Sequence, residues 1–174
     1  MKSVAVLGRR GAVASLLVAA GCLTSSPPLP PVRWFDPSPP PAELAASPVA
    51  VRAMAAPHLG REFVVRVGPR ELALDSQHQW IAEPRELVAA VVARAFAGRL
   101  PAGATTELVL ETFEFDVTAA PRAQVRFTLL GGRPEGVPVS IEASASAADR
   151  SPDALAEAMA VALAKVQAQL QPPR

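Results

Sequence analysis

Between Arg122 and Ser146 apolar and polar residues take strict turns in two runs separated by a glycine-rich break. Ala123, Val125, Phe127 and Leu129 alternate with Arg122, Gln124, Arg126 and Thr128. Val137, Val139, Ile141, Ala143 and Ala145 then alternate with Pro138, Ser140, Glu142, Ser144 and Ser146. A period of two marks strands with one face on a core and the other wet. The break, Gly131-Gly132-Arg133-Pro134-Glu135-Gly136, joins two strands and opens no helix, so it is a turn and not a phosphate-binding loop. A third strand precedes them over Thr105 to Thr118. There Leu108 and Leu110 share one parity, while Phe113, Phe115 and Val117 share the other. Either a bulge falls near Glu111-Thr112 or the first half is buried on both faces. Three antiparallel strands in a meander follow from this pattern.

The flanking segments add to the same layer. Val49, Val51, Ala53 and Ala55 alternate as a strand, and Phe63 to Val67 and Arg70 to Asp75 are two short strands around the Gly68-Pro69 turn signal. Pro84 to Arg99 reads as a helix with Pro84 in its first position; Leu87, Val88, Val91, Val92, Ala95 and Phe96 form its apolar side. A second helix runs from Pro152 to about Leu170, capped by Ser151 and lined by Leu155, Met159, Leu163, Val166 and Leu170. The expected fold is α/β: a mixed, mainly antiparallel sheet of about five to six strands packed with two main helices. At 174 residues, half of them apolar, one domain with a sizeable core is expected. At least part of one sheet face is left wet or reserved for a partner.

The N-terminus is of another kind. Lys2, Arg9 and Arg10 precede an uncharged, mostly apolar run from Gly11 to Gly21, too short to span a bilayer. This reads as a signal peptide, residues 1–21. Ala19, Ala20 and Gly21 lead into Cys22, the only cysteine, in a pattern similar to a bacterial lipobox, with Ala19 where leucine is usual. That resemblance implies cleavage between Gly21 and Cys22 and acylation of the thiol, by a diacylglyceryl group plus a further fatty acid such as palmitate. The alternative is an ordinary secretory signal with an incidental cysteine. One acyl chain holds only marginally, whereas three would make attachment effectively permanent. By resemblance to known lipoprotein sorting, Leu23 rather than Asp after the cysteine implies the periplasmic face of the outer membrane over retention at the inner membrane. Removing residues 1–21 changes the net charge from +1 to −2, so lipid rather than surface charge would hold the protein at a membrane. The near-neutral balance gives no reason to expect nucleic acid.

Residues 22–32 form a lipidated, proline-rich tether, and prolines 27, 28, 30, 31, 37, 39, 40 and 41 favour extended polyproline II. At about 3.1 Å per residue, about 20 such residues reach about 60 Å. Arg33-Trp34-Phe35 interrupts the run, and Val32 to Asp36 reads as a short strand or clamp on the domain, against the alternative of a solvated linker carrying two rings.

Catalytic signatures are sparse. His58 lies in a loop pattern and His78 in "DSQHQWIAEP"; either can act as a base in principle, but neither has a nucleophile in a recognisable context. Asp75, His78 and Glu83 are close in sequence, yet their spacing matches no established metal site. Glu114 and Asp116 share a strand face and read as cross-strand partners of Arg122, Gln124 or Arg126. A binding protein without catalytic residues, metal or cofactor is expected.

Three segments together resemble the ABC-type transport auxiliary lipoproteins, the PqiC-like family associated with MCE-type lipid transport. They are Arg33-Trp34-Phe35-Asp36-Pro37, "HQWIAEPRELVAAVVARAF" at residues 78–96 with Trp80, Ala82, Glu83 and Pro84 in place, and "LETFEFD" at 110–116 followed by two alternating strands and an Ala/Leu-rich helix. Trp34 and Phe35 stand where the family tends to have Tyr-Tyr, and Gln79 where Arg is common. The resemblance implies a single auxiliary lipoprotein domain over residues 33–171, lipid-anchored and accessory to an MCE/ABC-type intermembrane lipid transport system. Its expected partners are an MCE-domain protein and ABC transporter components, with lipid as a further candidate ligand and self-association left open. The alternative is a lipoprotein assembly factor for outer-membrane protein or lipopolysaccharide insertion. Trp34, Phe35, Trp80, Glu83 and Pro84 are the candidate partner-contact or structural residues; Trp80 is the one most naturally read as packing at a strand-to-helix corner.

Overall fold

The structure, a computed structural model, describes residues 29–38, 49–101, 104–130 and 137–171. Strands β1 (Arg33–Phe35), β2 (Ala50–Ala55), β3 (Glu62–Gly68) and β4 (Glu71–Trp80) lead to helix α1 (Pro84–Phe96). Strands β5 (Thr105–Asp116), β6 (Arg122–Leu130) and β7 (Val139–Ser146) then precede α2 (Pro152–Leu170). All belong to the unit formed by residues 31–174; of the other unit, residues 1–30, only Leu29 and Pro30 are described.

One mixed sheet joins seven strands in the order β1-β4-β3-β5-β6-β7, with β2 also beside β5. The meander is as the alternation requires: β5, β6 and β7 pair antiparallel, with Phe127 set between Leu110 and Ile141. The register shifts between Leu110 and Thr112. The parity change in β5 is therefore a bulge at Glu111, which returns Phe113 and Phe115 to the face already used by Leu108 and Leu110. Burial on both sides of β5 does occur, but in its second half, where Phe113, Glu114, Phe115 and Asp116 are all buried.

Parallel pairings complete the sheet. β2 runs beside the first half of β5, from Ala50 opposite Thr105 to Ala55 opposite Leu110, and β3 meets its far end, Arg66 opposite Asp116. The path from β3 to parallel β5 passes through β4 and α1, as a parallel connection requires. Strand β4 extends to Trp80, five residues beyond the expected Arg70–Asp75 strand, through a polar stretch that carries no apolar alternation.

Both helices take their first turn from proline at N1. In α2 the Ser151 hydroxyl accepts the Ala154 N–H at 3.3 Å. Helix α1 stops at Phe96, three residues short of the expected Arg99, because Gly98 turns the chain with φ 72°, a region open mainly to glycine. Arg99 then donates to the Leu170 carbonyl, tying the end of α1 to that of α2. Helix α2 packs on β6 and β7, while α1 packs on β2 and α2. The core lies between these helices and one sheet face: Leu108, Leu110, Val125, Phe127, Val88, Val92, Met159, Leu163 and Val166 are buried. The Gly131–Gly136 turn, the proline positions 39–41, and Gly21 and Cys22 lie outside the described residues. No described helix is long and apolar enough to cross a membrane.

Candidate partner-contact surface

The strand predicted at Val32–Asp36 is β1, and it is clamped onto the sheet. It runs parallel to β4, with Arg33, Trp34 and Phe35 opposite His78, Gln79 and Trp80. The Phe35 carbonyl accepts the Ile81 N–H at 3.0 Å, and Arg33 reaches Asp153 at the start of α2, 2.8 Å away. That exposed ion pair adds little energy by itself. The rings add more. Phe35 lies 5.0 Å from Phe63, Phe63 4.2 Å from Trp80, and Trp80 meets Phe113 edge-on at 5.4 Å and Phe115 at 5.7 Å. Of six Phe and two Trp in the chain, five form this one cluster. Because residues alternate across a strand, Phe35 and Trp34 face opposite ways: Phe35 enters the cluster, and Trp34 remains 53% exposed.

Trp80 is 1% exposed. It packs at the corner between β4 and α1, and its ring is not available to a partner in this state. Glu83 is the N-cap of α1; its backbone N–H donates to the Glu86 carboxylate at 3.1 Å, and its own carboxylate pairs with Arg85 at 2.7 Å. Pro84 is buried at N1. Of the five residues singled out from the sequence, the structure thus brings Phe35 and Trp80 into one cluster, uses Glu83 and Pro84 to start a helix, and leaves Trp34 on the surface.

His78 and Asp75 do meet, with Nδ1 2.7 Å from Oδ2, and the imidazole lies 5.9 Å from the Phe35 ring. Glu83 is engaged elsewhere, and His58 is exposed in a turn. Among the described residues no three His, Cys, Asp or Glu side chains gather as a metal site.

The sheet face away from the helices carries an ordered set of ion pairs. Asp116 accepts from Arg122 at 2.7 Å, the cross-strand pair expected from parity. It also accepts the Thr118 hydroxyl at 2.6 Å and the Thr118 N–H at 3.0 Å. These bonds, led by that hydroxyl, lower the Asp116 carboxyl to about 2. Glu114 takes a different partner from the β6 residues expected: Arg66 on β3 donates to it twice, at 2.7 and 3.0 Å. The Glu114 bond raises Arg66 above its usual value. Glu111, the bulged residue, is ion-paired with Arg126 at 3.0 Å and accepts from the Thr128 hydroxyl at 2.8 Å. Arg66 and Glu111 were not foreseen as members of this set; the alternation of Arg66 with apolar neighbours in β3 was the available signal. With acids and bases matched along the strands, this face offers polar contacts and no strong net field toward one kind of charge.

No family model and no curated protein matches the chain. Among solved structures, a Xanthomonas campestris protein assigned to the family DUF330 superposes with a TM-score of 0.63 at 22% identity, covering 79% of this chain and 92% of its own. A structure described only as an uncharacterized protein gives 0.62 at 11% identity, covering 81% and 97%. A third, from Caulobacter crescentus, reaches 0.31, too low to support a shared fold. The chain thus has an α/β fold similar to that of a DUF330 protein.

Proposed function

We propose that the chain is a periplasmic lipoprotein anchored at the outer membrane, working as an accessory component of an MCE/ABC-type intermembrane lipid transport system by binding protein partners rather than by converting a substrate. The observation that carries this reading is the route from anchor to body. A short apolar run ends at Cys22, a proline-rich stretch follows, and the chain then enters the sheet as β1, held by Phe35 in the aromatic cluster. A protein joined to a bilayer by such a leash meets neighbours in the envelope while its folded part stays intact. The segment from His78 to Phe96, which carries the most specific family resemblance, is a continuous strand-corner-helix unit around Trp80 and Glu83. The ion-paired sheet face and exposed Trp34 supply surface for a partner.

The test is extraction of the native protein with mild detergent, followed by identification of what accompanies it. An MCE-domain protein or ABC transporter component is expected, lost when Cys22→Ser releases the chain from membranes. A Cys22→Ser protein that stays with membranes through high-salt and carbonate washes, or a native protein that brings only a β-barrel protein, would sink the reading.

A further inference from the structure

The sheet protects its edges unequally. At one end, β7 has β6 on one side, and α2 attends to its carbonyls: Lys165 Nζ donates to Ser144 O at 2.7 Å and Gln169 Nε2 to Glu142 O at 2.9 Å. Side chains that occupy edge carbonyls discourage another strand from pairing there. Strand β2 is accompanied by α1. At the other end, β1 covers only His78, Gln79 and Trp80 of the ten-residue β4. Next to it the edge partly seals itself, since Asp75 Oδ1 accepts the Gln77 N–H at 3.0 Å and the Ser76 carbonyl accepts from Gln79 at 3.2 Å. Beyond that, Glu71–Asp75 pairs with β3 alone among the described strands. Within it Leu74 is 60% and Leu72 36% exposed.

We infer that the Glu71–Asp75 edge of β4 is a strand-addition site for an extended partner segment that places basic residues opposite Glu71 and Asp75 and apolar residues opposite Leu72 and Leu74. Three observations select this occupant. The edge already accepts one strand, because β1 pairs with the same side of β4, so an added strand continues an existing ladder. The chain's own leader is unsuited to extend β1 backward along β4: Pro27, Pro28, Pro30 and Pro31 have no N–H to donate. A second copy of the chain is disfavoured by charge, since antiparallel self-pairing centred on Ala73 sets Glu71 against Asp75 of the other copy, twice. A strand with Lys or Arg at those two places turns that repulsion into attraction. Arg70 lies in the turn, outside the strand. Asp75 retains capacity, because a carboxylate accepts about four hydrogen bonds and two are in use. Main-chain bonds would then provide affinity, and the alternating side chains specificity.

This deepens the partner-binding part of the proposed function, yet it is tested on the isolated full-length chain, so its outcome is separate from which protein co-purifies. A labelled peptide centred on Lys-Val-Thr-Val-Lys is titrated against the detergent-solubilised chain, alongside one centred on Glu-Val-Thr-Val-Glu. The basic peptide is expected to bind at least about tenfold tighter than the acidic one, and to slow amide hydrogen exchange in residues 71–75 but not in β7. Leu74→Lys and, separately, Glu71→Lys are exposed changes expected to weaken that binding at least about tenfold with an unchanged melting temperature. Equal binding of both peptides, no binding, or protection confined to β2 or β7 overturns the inference. So does slowed exchange in 71–75 that grows with protein concentration alone, which would make a second copy the occupant.

Discussion

The two ends of the sheet close their cores by different means. Over β6 and β7, Ala123, Ala143 and Ala145 face α2, which brings Ala158 and Ala162 among its buried residues. Small side chains let helix and sheet backbones approach, and Phe127, Met159 and Leu163 fill what remains. Toward β3 and β4 the filling comes instead from large rings, with Phe35, Phe63, Trp80, Phe113 and Phe115 tilted or edge-on to one another. One end is thus sensitive to added volume and the other to lost volume. A chain that is only 5% aromatic concentrates its rings where β1 must be held.

The largest expected effect lies in the ring-filled end. Trp80→Ala removes the side chain that touches Phe63, Phe113 and Phe115, and should cost about 3–5 kcal/mol in denaturant unfolding. Trp34→Ala, on the neighbouring strand but outward-facing, should cost about 0.5 kcal/mol or less. Similar losses for the two would end the distinction between the Phe35 side and the Trp34 side of the β1–β4 pair. Next in size, Ala162→Leu inserts volume where α2 is fully buried and should cost about 1–3 kcal/mol. A neutral or stabilising result would mean that the helix-covered end has slack.

The third prediction concerns the seam between the two ends. The Asp116 carboxyl is lowered from 3.8 to about 2, so its contribution is fully present above the unfolded value and is lost as pH falls from about 4 toward 2. The linked stability is about 2 kcal/mol. Asp116→Asn should flatten that part of the pH profile, and an unchanged acid limb would assign it to other groups.

Local pattern made the meander, the bulge near Glu111 and both helix starts legible, because each depends on residues within a few positions of one another. The Phe113 and Phe115 parity switch narrows the choice to an extra residue near Glu111-Thr112 or burial of the first half on both faces, and the register shift decides for the extra residue. What could not be read depends on chain crossing. Glu114 finds Arg66 because β5 returns parallel to β3 after β4 and α1, and no local spacing near either residue announces that neighbour. The continuation of β4 through Ser76–Trp80 was hidden for a related reason: its pairing with β1 and the bonds within Asp75–Gln79 stabilise it, rather than an apolar stripe. At the candidate surface, the sequence already points to Trp80 as a packing residue, and it is buried, but it leaves Trp34 and Phe35 equivalent. The register of β1 on β4 separates the exposed ring from the one that enters the cluster.

The place where β1 joins the sheet also limits how far the folded part can roam. With Arg33 fixed on the ladder, the proposed anchor at Cys22 would leave only about ten residues to play out, about 30 Å at full polyproline extension. That is half the span the proline content alone implied, so on the proposed anchoring the folded part would patrol a thin layer next to the bilayer and any partner would have to bridge the remaining distance.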